Sequence, residues 1–418
     1  MNKKTRVLVV PSDRTGVGYF RSTKPHISLE ENYPTEFSVD IDYEPKLNDA
    51  EWLKKYDIVH YHRNLGSFEE MQKTLDRLDE LGIVSFMDVD DYWSPGTHHP
   101  AHMMIKQSGL DKKIENNIRL AKNVITTTPI FAKEISKLNK NVFVLPNAID
   151  PSEKQFTPKP EKSDRIRIAW LGGSSHHEDL KLLKGIVNKI KADGLLDKVQ
   201  FVLCGYDIRG AVTTIDQRTG QQTQRPIKPH ESVWYEYEKI FTDDFKIISP
   251  EYKNYLHTFN KDEYEDIANE PYRRVWTKPI TTYASNYNLF DVSLAPLVEH
   301  KFNAVKSQLK VIEAGFHKKA LIAQDFGPYT LDLKNAKMYG GGFDETGNAL
   351  LVDSSKNHKQ WYQHIKYLIE NPDKIEILAK NLHDTVTKSY HIDVVTEARR
   401  DLYLKLLKEK EESSLVVA

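Results

Sequence analysis

Cysteine is almost absent from this chain. The one residue, Cys204, excludes an intrachain disulfide and any zinc site built on cysteines, and it fits a reducing cytosol. Long apolar runs are absent too, and no stretch approaches the roughly 18 residues of a membrane span. The opening residues, MNKKTRVLVVPSD, are basic, but their apolar run is short and reads as a first β-strand rather than a signal peptide. Neither sign of charge is in excess: the formal net charge is -1, and neither half is basic enough to make nucleic acid an obligate partner. No internal repeat with a period of roughly 20–50 residues is visible. What is present is ample apolar and aromatic material in 418 residues, which is too long for one ordinary core and favours two domains.

Short apolar runs alternate with helical patterns through both halves. Strands are expected at residues 6–10, 37–41, 57–62, 83–89, 123–127 and 142–145, with helices at 68–81, 114–120 and 130–138. Such alternation indicates a parallel sheet covered on both faces. Residues 151–164, PSEKQFTPKPEKSD, break the pattern with prolines and charges and read as a linker. A second alternating domain follows, with strands at 166–171, 199–204, 245–248, 291–296, 320–323 and 348–352. Its helices are expected at 178–191, 231–241, 279–287, 307–316, 358–370 and 372–384, and a long last helix at 394–411. The polar stretch 207–230 is either a β-hairpin insertion or a loop. The fold class is therefore α/β, with two Rossmann-like domains facing each other across a cleft. Ligands of such sheets bind at the carboxyl ends of the strands.

Several constellations lie at those ends. Gly172 and Gly173, followed by Ser174, stand between a strand and a helix. They permit close backbone approach to a phosphate, or simply a tight turn. Phe302, Asn303, Lys306 and Ser307 precede a helix that carries Glu313 on an otherwise apolar face. Lys306 and Ser307 suit a phosphate, and Glu313 suits the vicinal hydroxyls of a sugar, or else a structural partner. Arg273 and Arg274 beside Trp276 could brace a diphosphate or form a solvated basic turn. In the first half Gly16, Gly18, Tyr19 and Arg21 follow the first strand, but no third glycine completes a dinucleotide fingerprint. Asp90 and Asp91 end another strand, with His98, His99 and His102 shortly after. These carboxylates are candidate bases or caps, and no metal site is expected. His60 and His62 are read as facing opposite sides of their strand.

Three segments together resemble the GT-B glycosyltransferases, in particular the retaining family 4 type and its relatives. VLPNAID (144–150) is similar to the segment that closes the family's first domain. DVSLAPL (291–297) followed by FNAVKSQLKVIEAG (302–315) is similar to its donor-site segment. NALLV (348–352) is similar to the strand after it. The resemblance covers nearly the whole chain. It implies an N-terminal acceptor domain at 1–150, a linker at 151–164, a nucleotide-sugar donor domain at 165–390, and a helix and tail at 391–418 packing on the first domain. It implies that Glu313 holds the ribose, and that Lys306, with the Gly172–Gly173 loop, contacts the diphosphate. Ser174, Arg273, Asn303 and Ser307 complete the donor set, and Gly16, Gly18, Tyr19, Arg21 and His98 lie on the acceptor side. Many members carry a further glutamate that touches the donor sugar. Here that position holds Val305.

The activity so implied is transfer of a sugar from a nucleotide diphosphate sugar, UDP- or GDP-linked, to a hydroxyl of a glycan, lipid-linked or other acceptor. It would be retaining and metal-independent, with no cofactor beyond the donor. Lys306 would stabilise the leaving diphosphate, and Asp90 or Asp91 would act if a base is required. The expected location is cytoplasmic, with peripheral membrane contact open. A catalytically silent scaffold of the same fold is an alternative, and transfer onto modified DNA bases is another that the balanced charge disfavours.

Overall fold

Valine and isoleucine recur in short runs that are buried on both faces, the pattern of strands inside a parallel sheet. The computed structural model describes residues 3–97, 99–215, 222–258, 260–338, 340–353 and 358–417. The chain divides into two compact units. One comprises Met1–Pro151, Glu299–Ile312 and Val386–Ala418, and the other Ser152–Val298 and Glu313–Thr385.

The first unit is built on six parallel strands, β1 (Thr5–Val10), β2 (Phe37–Ile41), β3 (Ile58–His62), β4 (Val84–Val89), β5 (Asn123–Thr126) and β6 (Val142–Val144), in the order β2-β1-β3-β4-β5-β6. The period of two sorts β1 cleanly. Leu8 and Val10 join Val59, Met87 and Ile118 on one face, while Val7 and Val9 join Phe37, Ile58, Phe86 and Tyr403 on the other. Tyr403 belongs to the last helix, Ile392–Val417, so the chain's end returns to the first unit as expected. That helix is entered through a backbone splice, Ile149 N–H donating to Tyr390 O (2.9 Å) and Ile392 N–H to Ile149 O (2.8 Å). Arg400 on it pairs with Glu36.

The second unit contains β7 (Ile166–Leu171), β8 (Val199–Tyr206), β9 (Ala211–Ile215), β10 (Gln222–Pro226), β11 (Tyr272–Trp276), β12 (Val292–Ala295), β13 (Ala320–Gln324) and β14 (Leu350–Val352). Six of these form a sheet of order β11-β8-β7-β12-β13-β14, parallel throughout. The polar insertion is an antiparallel hairpin of β9 and β10, and residues 216–221 within it lie outside the described residues.

Several expectations need correction. The strand expected at 245–248 is a turn, in which Asp243, Asp244 and Phe245 take positive φ (49°, 54° and 63°). The edge strand is instead β11, whose arginines read as a diphosphate brace or a solvated basic turn. The helix expected at 178–191 is split into His177–Lys181 and Ile186–Ala192 by a turn at Gly185, whose φ is 84°. Residues 279–287 give way to a 3-10 helix, Tyr283–Leu289. Residues 299–312, expected in the second domain, pack with the first unit, where Val305 joins the apolar cluster of Val59 and Met87. His60 and His62, two residues apart on β3, share a face rather than opposing each other. The proline-rich segment is also no free tether. Gln155 and Phe156 are buried, Lys159 N–H donates to Asn288 Oδ1 (2.8 Å) and Glu161 N–H to Asn288 O (3.0 Å).

β11 tolerates its arginines because each is paired. Arg274 is buried against Glu238 of the helix Val233–Thr242, with Nη2 to Oε2 at 2.7 Å and Nε to Oε1 at 2.8 Å, and Tyr272 Oη also donates to Oε1 at 2.9 Å. Burial opposes the charge on Arg274, but Glu238 outweighs it and pushes the guanidinium up from its ordinary value. Glu238→Ala would leave that charge buried and uncompensated, at a cost of about 3–5 kcal/mol. Equilibrium urea unfolding should show the loss, and an unchanged midpoint would refute this account of the edge strand.

Candidate functional site

The first unit concentrates charge at the carboxyl ends of β3 and β4. His62 ends β3, and Asp90 and Asp91 follow β4. His62 Nε2–H donates to Asp90 Oδ1 (2.8 Å), as does Arg63 Nη2 (2.9 Å). Arg63 reaches Asp90 from a backbone with φ 56°, in the left-handed region. Burial would raise the Asp90 carboxyl, but Arg63 and His62 override it and hold Asp90 well below the usual carboxylate range. Asp91 goes the other way: burial first, then the charge of Asp90, push it up against the opposing pull of Lys306. Two adjacent carboxylates are thus pushed in opposite directions, Asp90 down and Asp91 up. His62 Nδ1 and Arg63 Nε are buried there with no partner among the described residues.

Lys306 and Ser307 come to this unit with segment 299–312. His300 caps its short helix through Nδ1, which accepts from Asn303 N–H (3.2 Å). Asn303 is buried, Phe302 nearly so, and Lys306 Nζ lies 5.1 Å from the Phe302 ring centroid. Among the described residues Lys306 makes no salt bridge. His99 packs against Phe302 with ring centroids 5.2 Å apart. Burial, then Lys306, His102 and His300, lower its pKa, which keeps it neutral. Ser307 Oγ accepts from Asn147 Nδ2 (3.2 Å), and Asn147 Oδ1 accepts from Arg21 Nη1 (3.1 Å).

That contact places Arg21 elsewhere than on the acceptor side. It is 1% exposed and spans Asp88 with Nε and Nη2, both at 2.9 Å, so it is not available to a ligand. The loop before it is likewise organised from within. Asp13 accepts from Thr15 N–H (2.7 Å), Thr15 Oγ1 (2.6 Å) and Gly18 N–H (3.2 Å). A Cβ on Gly18 would stand 1.9 Å from Asp13 O, so that glycine is required by the turn rather than by a ligand. Gly16 and Tyr19 lie in the helix that this turn starts, Tyr19 in its π-helical stretch Gly18–Thr23, with Tyr19 N–H donating to Thr15 O. His98 lies outside the described residues.

In the second unit Glu313 is 3% exposed. Tyr283 Oη donates to its Oε1, and Tyr287 Oη to its Oε2 at 3.0 Å. Both oxygens of the carboxylate accept, so the two tyrosines fix the orientation of Glu313. Tyr287 in turn stacks on His317, 4.6 Å between centroids and 15° between planes. Gly172 and Gly173 follow β7. A Cβ placed on Gly173 would meet no heavy atom within 4 Å, which leaves its backbone open. Ser174 O accepts from Tyr237 Oη (2.9 Å). Arg273 is committed to Glu161 and Glu263 and is not brought to these residues. Burial pushes the Cys204 thiol up to about 12, which leaves it unreactive.

Sequence reasoning missed His62 and Arg63 as partners of Asp90, Asn147 as the link to Ser307, and the tyrosines on Glu313. Only the period-two spacing of His60, His62 and Asp88, Asp90 on paired strands could have pointed to the first group.

No protein-family model and no curated protein matches the sequence. Solved structures do. HepE of Anabaena in complex with UDP and glucose aligns with a TM-score of 0.56 at 11% identity, covering 96% of this chain and 99% of that one. HepE in complex with UDP-glucose gives 0.53 at 12% identity, covering 97% and 99%. The catalytic domain of starch synthase IV from Arabidopsis thaliana, bound to ADP and acarbose, gives 0.54 at 11% identity, again covering 97% and 99%. At these identities the likeness establishes the fold, the two-domain GT-B architecture, over nearly the whole of each chain.

Asn147→Ala would leave a buried Arg21 N–H without its acceptor and remove the partner of the half-buried Ser307 Oγ. A loss of roughly 1–3 kcal/mol is expected, read as a lowered denaturation midpoint. A variant as stable as its parent would argue against this link.

Proposed function

We propose that the protein transfers a glycosyl group from a nucleotide diphosphate sugar to a hydroxyl acceptor. The observation that carries this reading is Lys306. Its ammonium has no salt bridge among the described residues, stands beside a serine hydroxyl, and belongs to a chain with the fold of structures bound to UDP, UDP-glucose and ADP. A departing diphosphate is the charge such a lysine stabilises. Glu313, oriented by Tyr283 and Tyr287, is the group for the ribose hydroxyls, and the open space beside Gly173 is the place for phosphate approach. The donor nucleotide is UDP or GDP, no metal or further cofactor is invoked, and the acceptor is a glycan or lipid-linked hydroxyl. The proposed location is cytoplasmic, with peripheral contact to a membrane. No helix among the described residues is long and apolar enough to cross one.

On this reading the anomeric configuration is retained, and the leaving diphosphate oxygen takes the acceptor proton. A second reading is favoured by one observation, the raised carboxyl of Asp91 beside an ionised Asp90. In an inverting reaction Asp91 would accept the proton of the attacking hydroxyl. Proton NMR of the first product formed distinguishes the two by its anomeric coupling.

Lys306→Ala and Glu313→Ala should each lower donor turnover by roughly 100-fold or more, the scale of losing one transition-state contact. Undiminished donor hydrolysis in both would sink the assignment. Asp91→Asn makes a separate demand. The folded carboxyl holds its proton more tightly than the unfolded chain does, so the fold loses stability as pH rises from the ordinary carboxylate range through the raised value. Asp91→Asn removes that loss. The variant should melt higher than its parent at neutral pH, and, if Asp91 is the base, should lose the acid limb of the pH–rate profile. A lower melting temperature at pH 7 would contradict the shift.

A further inference from the structure

The last helix carries a buried cation that no side chain neutralises among the described residues. Arg399 is 0% exposed. Its Nη1 donates to Tyr403 Oη at 3.2 Å, while Nε and Nη2 have no partner among the described residues. The buried carboxylate whose charge acts on Tyr403, Asp88, is already spanned by Arg21. Around Tyr403 the remaining polar groups are neutral. His26 donates from Nδ1 to Ser22 O (2.6 Å), which leaves Nε2 to accept from Tyr403 Oη (2.8 Å), and His60 Nδ1 lies 3.1 Å from that hydroxyl. Burial, with the nearby arginine and histidine charges, holds both imidazoles well below their ordinary pKa. Arg21 and Asp88 cancel, so the positive charge of Arg399 remains. A guanidinium cannot shed its proton, and an uncompensated buried charge is strongly unfavourable.

A second orphan lies one turn away. Thr396, 1% exposed, has no partner for Oγ1 among the described residues. Residues three apart share a helix face, so its hydroxyl and the guanidinium belong to one buried stripe. Both supply hydrogen-bond donors. What satisfies them is an acceptor carrying one negative charge. A doubly charged phosphate would over-compensate one guanidinium, whereas a halide matches it.

We infer that Arg399, with Thr396, holds a small monovalent anion of chloride size inside the first unit, where it anchors the last helix. This is independent of the proposed transferase site. The test uses the full chain. Its melting temperature is measured in sodium chloride against sodium gluconate at constant ionic strength, and bromide is located by anomalous diffraction from crystals grown in it. The expected result is a chloride-dependent rise of roughly 5 °C at a hundredfold excess over the dissociation constant, absent from Arg399→Met, with a bromide peak at Arg399 Nε and Nη2. Equal melting in both salts, dependence that survives in Arg399→Met, or a map with water rather than bromide at Arg399 would each overturn it. If Arg399→Met does not fold, the bromide map of the parent decides the question.

Discussion

The first unit depends on one buried ion pair, Arg21 with Asp88. Both residues are sealed from solvent, and a charge in that position must be matched by geometry as well as sign. Arg21 meets the demand by using its whole donor fork. Nε and Nη2 take the carboxylate, and Nη1 takes Leu145 O at 2.8 Å and Asn147 Oδ1. Those acceptors come from β4 and from the segment after β6. The arginine itself comes from the turn after β1. Three connections that are distant in sequence are therefore held in one place by one side chain. The benefit is registration rather than raw stability. Since Asn147 passes the constraint on to Ser307, the position of Lys306 is set from the interior of the sheet, not by the surface loop that carries it.

The strand ends next to that pair show how a fold can hold two adjacent carboxylates in different states. Asp90 is met by two donors, Arg63 from a left-handed backbone and His62 from the end of the paired strand β3. Among the described residues Asp91 has no such pair of donors, and it feels mainly burial and the charge of Asp90. Asp90 is therefore a fixed anion that orients cations, and Asp91 is a group that can change protonation. This split is a property of the backbone turn at Arg63, and the chain spends local backbone strain to obtain it.

Most of the architecture was legible in the chain because hydrophobic period and punctuation are local signals. β1 through β6 appear within a residue or two of expectation, as do β7, β12 and β13. What failed, failed for non-local reasons. β11 reads as a basic turn until Glu238, far away in sequence, neutralises Arg274. The loop at Gly16 and Gly18 looks like a ligand loop until Asp13 is seen filling it. Arg21 looks like an acceptor-side contact until Asp88 is found against it. In each case one charged residue was read alone, and its partner lay where only the folded chain brings it near. Lys306 and Glu313 could be singled out because each departs from its immediate surroundings, a cation at a helix start and a carboxylate on an apolar face.

Val305 stands where many members of the resembling family carry a glutamate. Here Val305 is 5% exposed and packs among Val59, Met87 and Val89 of the first unit's core. A glutamate could not be restored there without burying a charge in an apolar cluster. The change is thus tied to the packing of segment 299–312 on this unit, through Phe302, Ala304 and Val305. With an apolar residue buried here, the polar groups near this segment are those that flank it. Asp91 and Lys306 are the two whose charges are not already matched by a salt bridge among the described residues. Lys306 pulls the Asp91 carboxyl down while burial and the charge of Asp90 push it up, so an apolar residue at 305 leaves the electrostatics beside it to these two groups.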